Sequence, residues 1–289
     1  MKSINFAKYQ GIGNDFIIID SRGTDLHQSL IASKKTIVSN ICDRHFGVGA
    51  DGLILLMDSN NGADARMEIF NSDGTIAEMC GNGIRCLANY IKDQSEKEVS
   101  DNCTIQTLAG NIMASFANSG KVIIDMGTPN FIPLEIPTNL KLDSNKLASG
   151  DVVLDGTTLK VYAASMGNPH AITYVDNIES IPFEAWGRQL ENHSLFPNKT
   201  NVHFVEVINR AKLRIKVWER GCGATLACGT GACAVLAVTY RLNLCNKEAE
   251  IQLPGGSLDI NWPSHDGSIF MSGPAKFVYS GNIDIDLDS

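Results

Sequence analysis

Two segments of this chain are copies of one another, and the duplication limits the folds open to it. Residues 67–91 read MEIFNSDGTIAEMCGNGIRCLANYI, and residues 215–239 read IKVWERGCGATLACGTGACAVLAVT. They align without a gap, and one constant offset carries Cys80 onto Cys228, Gly81 onto Gly229, Gly83 onto Gly231 and Phe70 onto Trp218. A twofold internal repeat predicts two similar lobes, and 289 residues suit two such units better than one simple core. Each half carries one cysteine at the same place. Two thiols on lobes that face each other can serve one carbon from opposite sides, one removing a proton and the other returning it. That is a design for racemisation or epimerisation.

Composition narrows the class further. Hydrophobic residues make up 44% of the chain and charged residues 19%, ordinary values for a water-soluble globular protein. The net charge of −8 argues against a nucleic-acid partner or an anionic membrane. The opening residues, MKSINFAKYQGIGNDF, lack the apolar run and cleavage site of a signal peptide, and no stretch approaches the roughly 18 apolar residues of a membrane span. A cytoplasmic location is therefore expected. The eight cysteines are then expected to be mostly reduced. None forms a CxxC pair and no His–Cys spacing suits zinc, so no metal site is expected.

Short apolar runs punctuated by Gly and Asn predict strands at 15–20, 52–57, 104–107, 111–116 and 121–126, then at 159–165, 171–175, 202–208, 213–218, 249–253, 257–261 and 268–272. Each cysteine motif opens a helix. Apolar residues recur at Ile84, Leu87, Ala88 and Ile91 after Cys80, and at Ala232, Val235, Leu236 and Val238 after Cys228. Weaker helical patterns cover 36–44 and 183–192. GIGNDFIII around Asn14 parallels SMGNPHAIT around Asn168, and FGVGADGLILL parallels FPNKTNVHFVEV around Asn201. The strand pattern breaks at Thr128–Asn130, which places the lobes at 1–127 and 128–273; residues 274–289 exceed the second repeat and are expected to return to the first.

A cysteine just ahead of a helix lies at the positive end of its dipole, beside unpaired backbone N–H groups, and its pKa falls from about 8.5. The glycines of Cys80-Gly81-Asn82-Gly83 and Cys228-Gly229-Thr230-Gly231 allow a carboxylate to approach those N–H groups closely. One CGxG alone equally suits a tightly packed helix start; two at equivalent places favour chemistry. His170, after the Gly-Asn-Pro turn, is either a partner for a thiol or a turn-capping histidine. Glu219-Arg220 either holds the charged ends of an amino acid or forms an ordinary strand-end ion pair. Asn14, Asn71, Asn82, Asn168 and Asn201 all fall in turn-rich segments, and five at or near repeat-equivalent places suggest a neutral hydrogen-bonding pocket. His45 reads as structural, and His27, His193, His203 and His265 have no companion motif. Cys222 is the least certain extra thiol, while Cys42, Cys86, Cys103, Cys233 and Cys245 read as core or incidental.

QGIGNDF, FNSDG, CGNGIRC, SMGNPH, WERGCG and LACGTGACA, in that order and over nearly the whole chain, closely resemble the diaminopimelate epimerases. The resemblance implies an α/β (α+β) fold of two pseudo-symmetric lobes, each a β-barrel-like sheet around a central helix. It implies a cofactor-independent isomerase that interconverts LL- and meso-2,6-diaminopimelate for lysine and cell-wall synthesis, acting as a homodimer on a small substrate. Carried onto this chain, Cys80 and Cys228 are the acid–base pair, and His170 and Glu219 tune the thiols. Asn14, Asn71, Gly81, Asn82, Asn168, Asn201, Glu219, Arg220, Gly229 and Thr230 are substrate contacts, and Tyr279 is tied to dimer formation. One departure is visible: Gly52 stands where some members carry Gln.

The chemistry agrees. An amino-acid α-hydrogen is a very weak acid, so the carbanion needs hydrogen bonds and charge. An unperturbed thiol is only about 3% ionised at pH 7, and catalysis needs one thiolate and one thiol, both reduced. Three other readings compete. A proline racemase also pairs two cysteines, but typically has His where Asn82 stands and Asp near the second cysteine. A thiol–disulfide sensor would keep its function when oxidised. A binding protein with a degenerate site would not retain both cysteines.

Overall fold

The computed structural model describes residues 2–24, 26–27, 34–95 and 101–285. The chain has a mixed α and β fold of two compact units, Met1–Ile124 with Gly273–Ser289, and Asp125–Ser272. In the first unit, Lys2–Gly11 runs antiparallel to Asn14–Asp20 on one edge and to Lys276–Ile285 on the other. Asn14–Asp20 pairs in parallel with Gly52–Met57, reached through helix α1 (Lys34–Cys42). Gly52–Met57 is antiparallel to Ala65–Asn71, which carries the short strand Ile76–Ala77 and, in parallel, Asn102–Thr107. Helix α2 (Gly81–Gln94) links those last two strands, and Gly110–Phe116 and Val122–Asp125 extend the sheet.

The second unit repeats the arrangement. Thr157–Ser165 lies between Ala148–Leu154 and Pro169–Tyr174, all antiparallel. Pro169–Tyr174 pairs in parallel with Asn201–Asn209 through a connection holding α3 (Phe183–Glu191). Asn201–Asn209 is antiparallel to Lys212–Glu219, which carries Gly223–Thr225 and, in parallel, Glu248–Leu253. Helix α4 (Gly229–Arg241) makes the last link, followed by Gly256–Asn261 and Phe270–Gly273. The registers match residue for residue. Phe16 faces Gly52 as His170 faces Asn201, Leu53 faces Phe70 as Val202 faces Trp218, Ile69 faces Ala77 as Val217 faces Thr225, and Ala65 faces Ile105 as Leu213 faces Ile251.

Both cysteine-led helices are core helices. In α4 every side from Ala232 to Val238 is buried, the condition of a helix enclosed all round. In α2 burial runs from Gly81 to Ala88 and fades at Tyr90 and Ile91. Lys2–Gly11, Ala148–Leu154 and Lys276–Ile285 are strands that hydrophobic alternation did not reveal. Lys276–Ile285 is exposed along most of its length and carries Gly281 against the Phe6 ring, so its existence rests on pairing with a strand at the other end of the chain. Among the described residues no helix is long and apolar enough to cross a membrane.

The enclosure of α4 sets a stability expectation. Leu236→Ala removes a side chain with no exposed surface and should cost about 2–5 kcal/mol. Leu244→Ala, at a side chain 41% exposed, should stay within about 0.5 kcal/mol of the parent. Urea unfolding midpoints of the two variants check this; equal costs would mean that α4 is not the core of its unit.

Candidate active site

Cys80 and Cys228 occupy the same backbone position in their units. Each is the N-cap residue of its helix in extended conformation, with φ −140° and ψ 115° at Cys80 and φ −138° and ψ 105° at Cys228, and neither caps the helix with its side chain. Each sulfur therefore stands over a first turn whose backbone N–H groups lack intrahelical partners, where negative charge is favoured. Close packing behind this turn requires glycine. A Cβ on Gly83 would lie 3.0 Å from Ile69 Cδ1 and 3.2 Å from Ile54 Cδ1, and one on Gly231 would lie 2.1 Å from His203 Cε1.

The first half is organised by an ionic network. Asn14 Oδ1 accepts from Asn82 Nδ2 at 3.1 Å and lies 3.9 Å from Cys80 Sγ. Asn14 Nδ2 donates to Asp51 Oδ2 at 2.8 Å, and Asn82 Oδ1 accepts from the buried guanidinium of Arg85 at 2.8 Å. Arg44 bridges Asp15 at 2.7 Å and Asp51 at 2.8 Å, while Lys8 reaches Asp15 at 2.9 Å. Burial opposes the Asp15 charge, but Arg44 and Lys8 hold its carboxyl down at about 2. Asn71 is exposed at the end of its strand, where its Nδ2 donates to Thr75 Oγ1 at 2.9 Å. At Gly52 a Cβ would fall 2.5 Å from the Phe70 carbonyl oxygen, so this backbone leaves no room for a glutamine there.

The second half has a buried pair of histidines behind its cysteine. His170 and His203 have no exposed surface, and His170 Nδ1 lies 2.8 Å from His203 Nε2. His170 Nε2 lies 2.9 Å from Asn168 Oδ1. Burial first, then His203 and the Arg220 charge, push His170 well below the usual imidazole value, and burial takes His203 down to about 3. Cys228 Sγ lies 3.6 Å from Thr230 Oγ1. Asn201 is buried; its Nδ2 donates to the Pro169 carbonyl at 2.9 Å and its Oδ1 accepts the Arg220 backbone N–H at 3.0 Å. Glu219 Oε1 accepts from Thr225 Oγ1 at 2.6 Å, and the Arg220 side chain is exposed. Glu191, also buried, accepts Trp218 Nε1–H at 2.8 Å and Gly221 N–H at 2.9 Å.

His170, His203 and Cys228 each offer one ligand atom within 4.8 Å of the others, the spacing of a cation site. The two imidazoles, however, are hydrogen-bonded to each other instead of splayed around a common point, so the geometry is that of a proton-sharing pair. Among the other thiols, burial raises Cys103 to about 11 and Cys42, Cys86 and Cys245 to about 12, which suits packing and not nucleophilic chemistry. Tyr279 lies on the exposed Lys276–Ile285 strand, edge-on to Phe6, with its hydroxyl donating to the Val48 carbonyl at 3.2 Å.

Residues 6–132 and 162–278 match the family model for diaminopimelate epimerase. The chain is 51% identical over 281 residues to the diaminopimelate epimerase of Prochlorococcus marinus strain NATL1A, covering 97% of this chain and 99% of that protein. It belongs to the diaminopimelate epimerase family. Diaminopimelate epimerase 1 of Nostoc sp. strain PCC 7120 is 44% identical over 282 residues, covering 97% of this chain and all of that protein. The fold is also that of the hydroxyproline epimerase from Agrobacterium vitis, solved with trans-4-hydroxy-L-proline, at a TM-score of 0.69 and 13% identity over 100% of this chain and 93% of that one.

In this member of the diaminopimelate epimerase family, two groups of residues escaped the sequence reading. His203 was set aside as a histidine without a companion; it is bonded to His170 and packed on Gly231. The register holds the signal, because His203 stands where the first unit has Ile54. Lys8, Asp15, Arg44 and Asp51, and the buried Glu191, were also missed, because no local motif marks these pairs, some seven residues apart and others nearly thirty.

The two neutral imidazoles make stability depend on pH. An unfolded histidine takes up a proton near pH 6.5, whereas His203 resists to about 3 and His170 also lies well below 6.5. Stability is therefore full well above pH 6.5 and falls as pH drops; for His203 the loss reaches roughly 2 kcal/mol by pH 5, and His170 adds to it in the same direction. His203→Gln should remove one of these two shares. Urea unfolding free energies of both proteins at about pH 7.5 and pH 5 measure it, and an identical loss in the variant would show that His203 does not resist protonation.

Proposed function

We propose that the chain interconverts LL- and meso-2,6-diaminopimelate without a cofactor, with Cys80 and Cys228 as the two bases. One cysteine, as thiolate, takes the α-proton; the other, as thiol, delivers its proton to the opposite face of the carbanion. The roles exchange in the reverse direction, so protons balance over a turnover in which each cysteine ends in the other's starting state. The observation that carries the reading is the matched pair of N-cap cysteines, with the same extended backbone over equivalent helix N-termini. A substrate carboxylate at the first-turn N–H groups of Gly81-Asn82 and Gly229-Thr230 would be stabilised as charge builds on the α-carbon.

In this reading His170 and Glu219 tune the thiols, and Asn14, Asn71, Asn168, Asn201 and Arg220 bind the polar ends of the substrate. Tyr279 supports a homodimer, and the enzyme works in the cytoplasm. Support for the Arg220 assignment lies in its anchoring. Its backbone N–H is fixed by Asn201 while its side chain is exposed, which leaves the guanidinium available for a carboxylate.

Incubation with LL-diaminopimelate in deuterated water tests the activity directly: the α-hydrogen signal should disappear as the meso form accumulates. Cys80→Ala and Cys228→Ala should each abolish epimerisation, with circular dichroism unchanged. Near-normal turnover in either variant would sink the two-base scheme. Cys→Ser should be as inactive or nearly so, since a hydroxyl is a far poorer base at neutral pH.

Specificity gives a separate measurement. Lysine lacks the distal carboxylate and should be a poor substrate, because donors meant for that group are left unpaired at about 1–3 kcal/mol each. Arg220→Ala keeps the backbone bond to Asn201 and should lower kcat/KM for diaminopimelate towards that for lysine. An unchanged value for diaminopimelate would remove Arg220 from the site.

A further inference from the structure

The two half-sites share one backbone plan but not the same wall behind the cysteine. By strand register, Phe16 and Ile54 of the first unit stand where the second unit has His170 and His203. Gly83 packs on Ile54, and its counterpart Gly231 packs on the His203 ring. The second unit has thus put two imidazoles where the first has hydrocarbon. Burying polar rings is costly unless they are hydrogen-bonded, and these two are bonded to each other and to Asn168.

Donor and acceptor rules fix the direction of this chain. Asn168 presents Oδ1, which only accepts, so His170 must carry its proton on Nε2. A neutral His170 then has a bare Nδ1, and His203 must donate to it from Nε2. The Asn168 carbonyl is consumed, and its –NH2 is the end left for a ligand. Asn14, the repeat counterpart, is held at both ends: its –NH2 goes to Asp51 and its Oδ1 accepts from Asn82. Both equivalent asparagines therefore accept at Oδ1, and they differ at the –NH2, which Asn14 gives to Asp51.

We propose that His203 is a positioning residue: by donating Nε2–H to His170 Nδ1 it locks His170 in the Nε2–H tautomer, which holds Asn168 with its amide –NH2 offered to a substrate carboxylate. This rests on Asn168 being a substrate contact, as in the function proposed above. The titratable and charged groups facing the pair are Cys228 at the start of α4 and Arg220 after the Lys212–Glu219 strand. Arg220 and the helix N-terminus both disfavour an imidazolium, which keeps the chain of donors in one direction.

The test uses the whole protein with ¹⁵N-labelled histidine, without substrate and with diaminopimelate. Two-bond ¹H–¹⁵N couplings should show His170 and His203 as neutral Nε2–H tautomers between about pH 5.5 and 8. His203→Gln places an amide donor near the former Nε2, so His170 should keep its tautomer and KM should stay near the parent value. His203→Leu removes the donor; His170 should lose its single tautomer and KM should rise about tenfold or more, with a smaller change in kcat. A proton on His170 Nδ1 in the parent overturns the proposal, as does a His203→Leu protein with normal KM. If His203→Leu fails to fold, His203→Gln still decides: a raised KM with the tautomer preserved overturns it. The tautomers are read without turnover, so a parent protein inert towards diaminopimelate would count against the proposed reaction and not against the lock.

Discussion

Each unit hangs on a close approach between the first turn of a buried helix and the strands behind it. The approach is so tight that a single methyl group at Gly231 would collide with the His203 ring, and one at Gly83 would press on the ends of Ile54 and Ile69. With the helix pressed down at that glycine, its N-terminus is fixed relative to the sheet, and the cysteine three residues earlier is carried to one position in extended backbone. The unpaired N–H groups of the first turn then surround the sulfur without any dedicated binding loop. Close packing therefore sets the electrostatics of the thiol. The two glycines are not equally constrained: Gly83 faces the mobile ends of two isoleucines, while Gly231 faces the rigid edge of an imidazole.

That difference matters for the proposed reaction, in which the two cysteines must be in different protonation states at the same instant. The wall of the Cys80 half is hydrocarbon, and its polarity comes from the side, through Asn14 and Asn82 and the Asp51–Arg44–Asp15–Lys8 network. The Cys228 half has a neutral imidazole pair inside the wall itself, with no exposed surface. A network of charges partly open to water is screened and adjustable, whereas a buried neutral pair is neither. The same strand-and-helix plan thus gives two thiols distinct surroundings, and duplication alone would not have done so.

The repeat was legible because it preserves the small and apolar residues that packing demands: the glycines after each cysteine, the helical spacing behind them, and the paired aromatic positions Phe70 and Trp218. The same pattern fixes strand register, so the matched pairings of the two units follow from side chains that alternate inward and outward. Lys276–Ile285 was not legible, since an exposed strand has no alternation and takes its place only from a partner some 270 residues away. His203 was hidden for another reason. On its own strand it is one more inward position, and its polarity becomes meaningful only when His170 from the neighbouring strand and Gly231 from α4 are brought against it. The asparagines could be named from turn-rich segments, but their hydrogen-bond polarity depends on partners that local sequence does not specify.

The turn after the Lys212–Glu219 strand shows the same principle at a second place. In the first unit the corresponding turn is held by local bonds: Ser72 N–H donates to the Asp51 carbonyl, Asn71 N–H to the Thr75 carbonyl, and Thr75 N–H and Oγ1–H to Asp73 Oδ1. In the second unit buried side chains from outside the turn hold it. Asn201 accepts the Arg220 N–H, and the buried Glu191 takes the Gly221 N–H together with the Trp218 indole. A carboxylate with so little exposure is costly unless its oxygens are occupied, and here both are, with Lys199 at 3.8 Å from one of them. The first turn is closed by its own residues, whereas a turn held by Asn201 and Glu191 is tied to the core of its unit. Arg220 projects from this second kind of turn, so the guanidinium starts from a fixed base although its own side chain is exposed. Fixing the base lowers the conformational entropy that binding would otherwise have to overcome, which suits the proposed role of Arg220 as a contact to one end of the substrate.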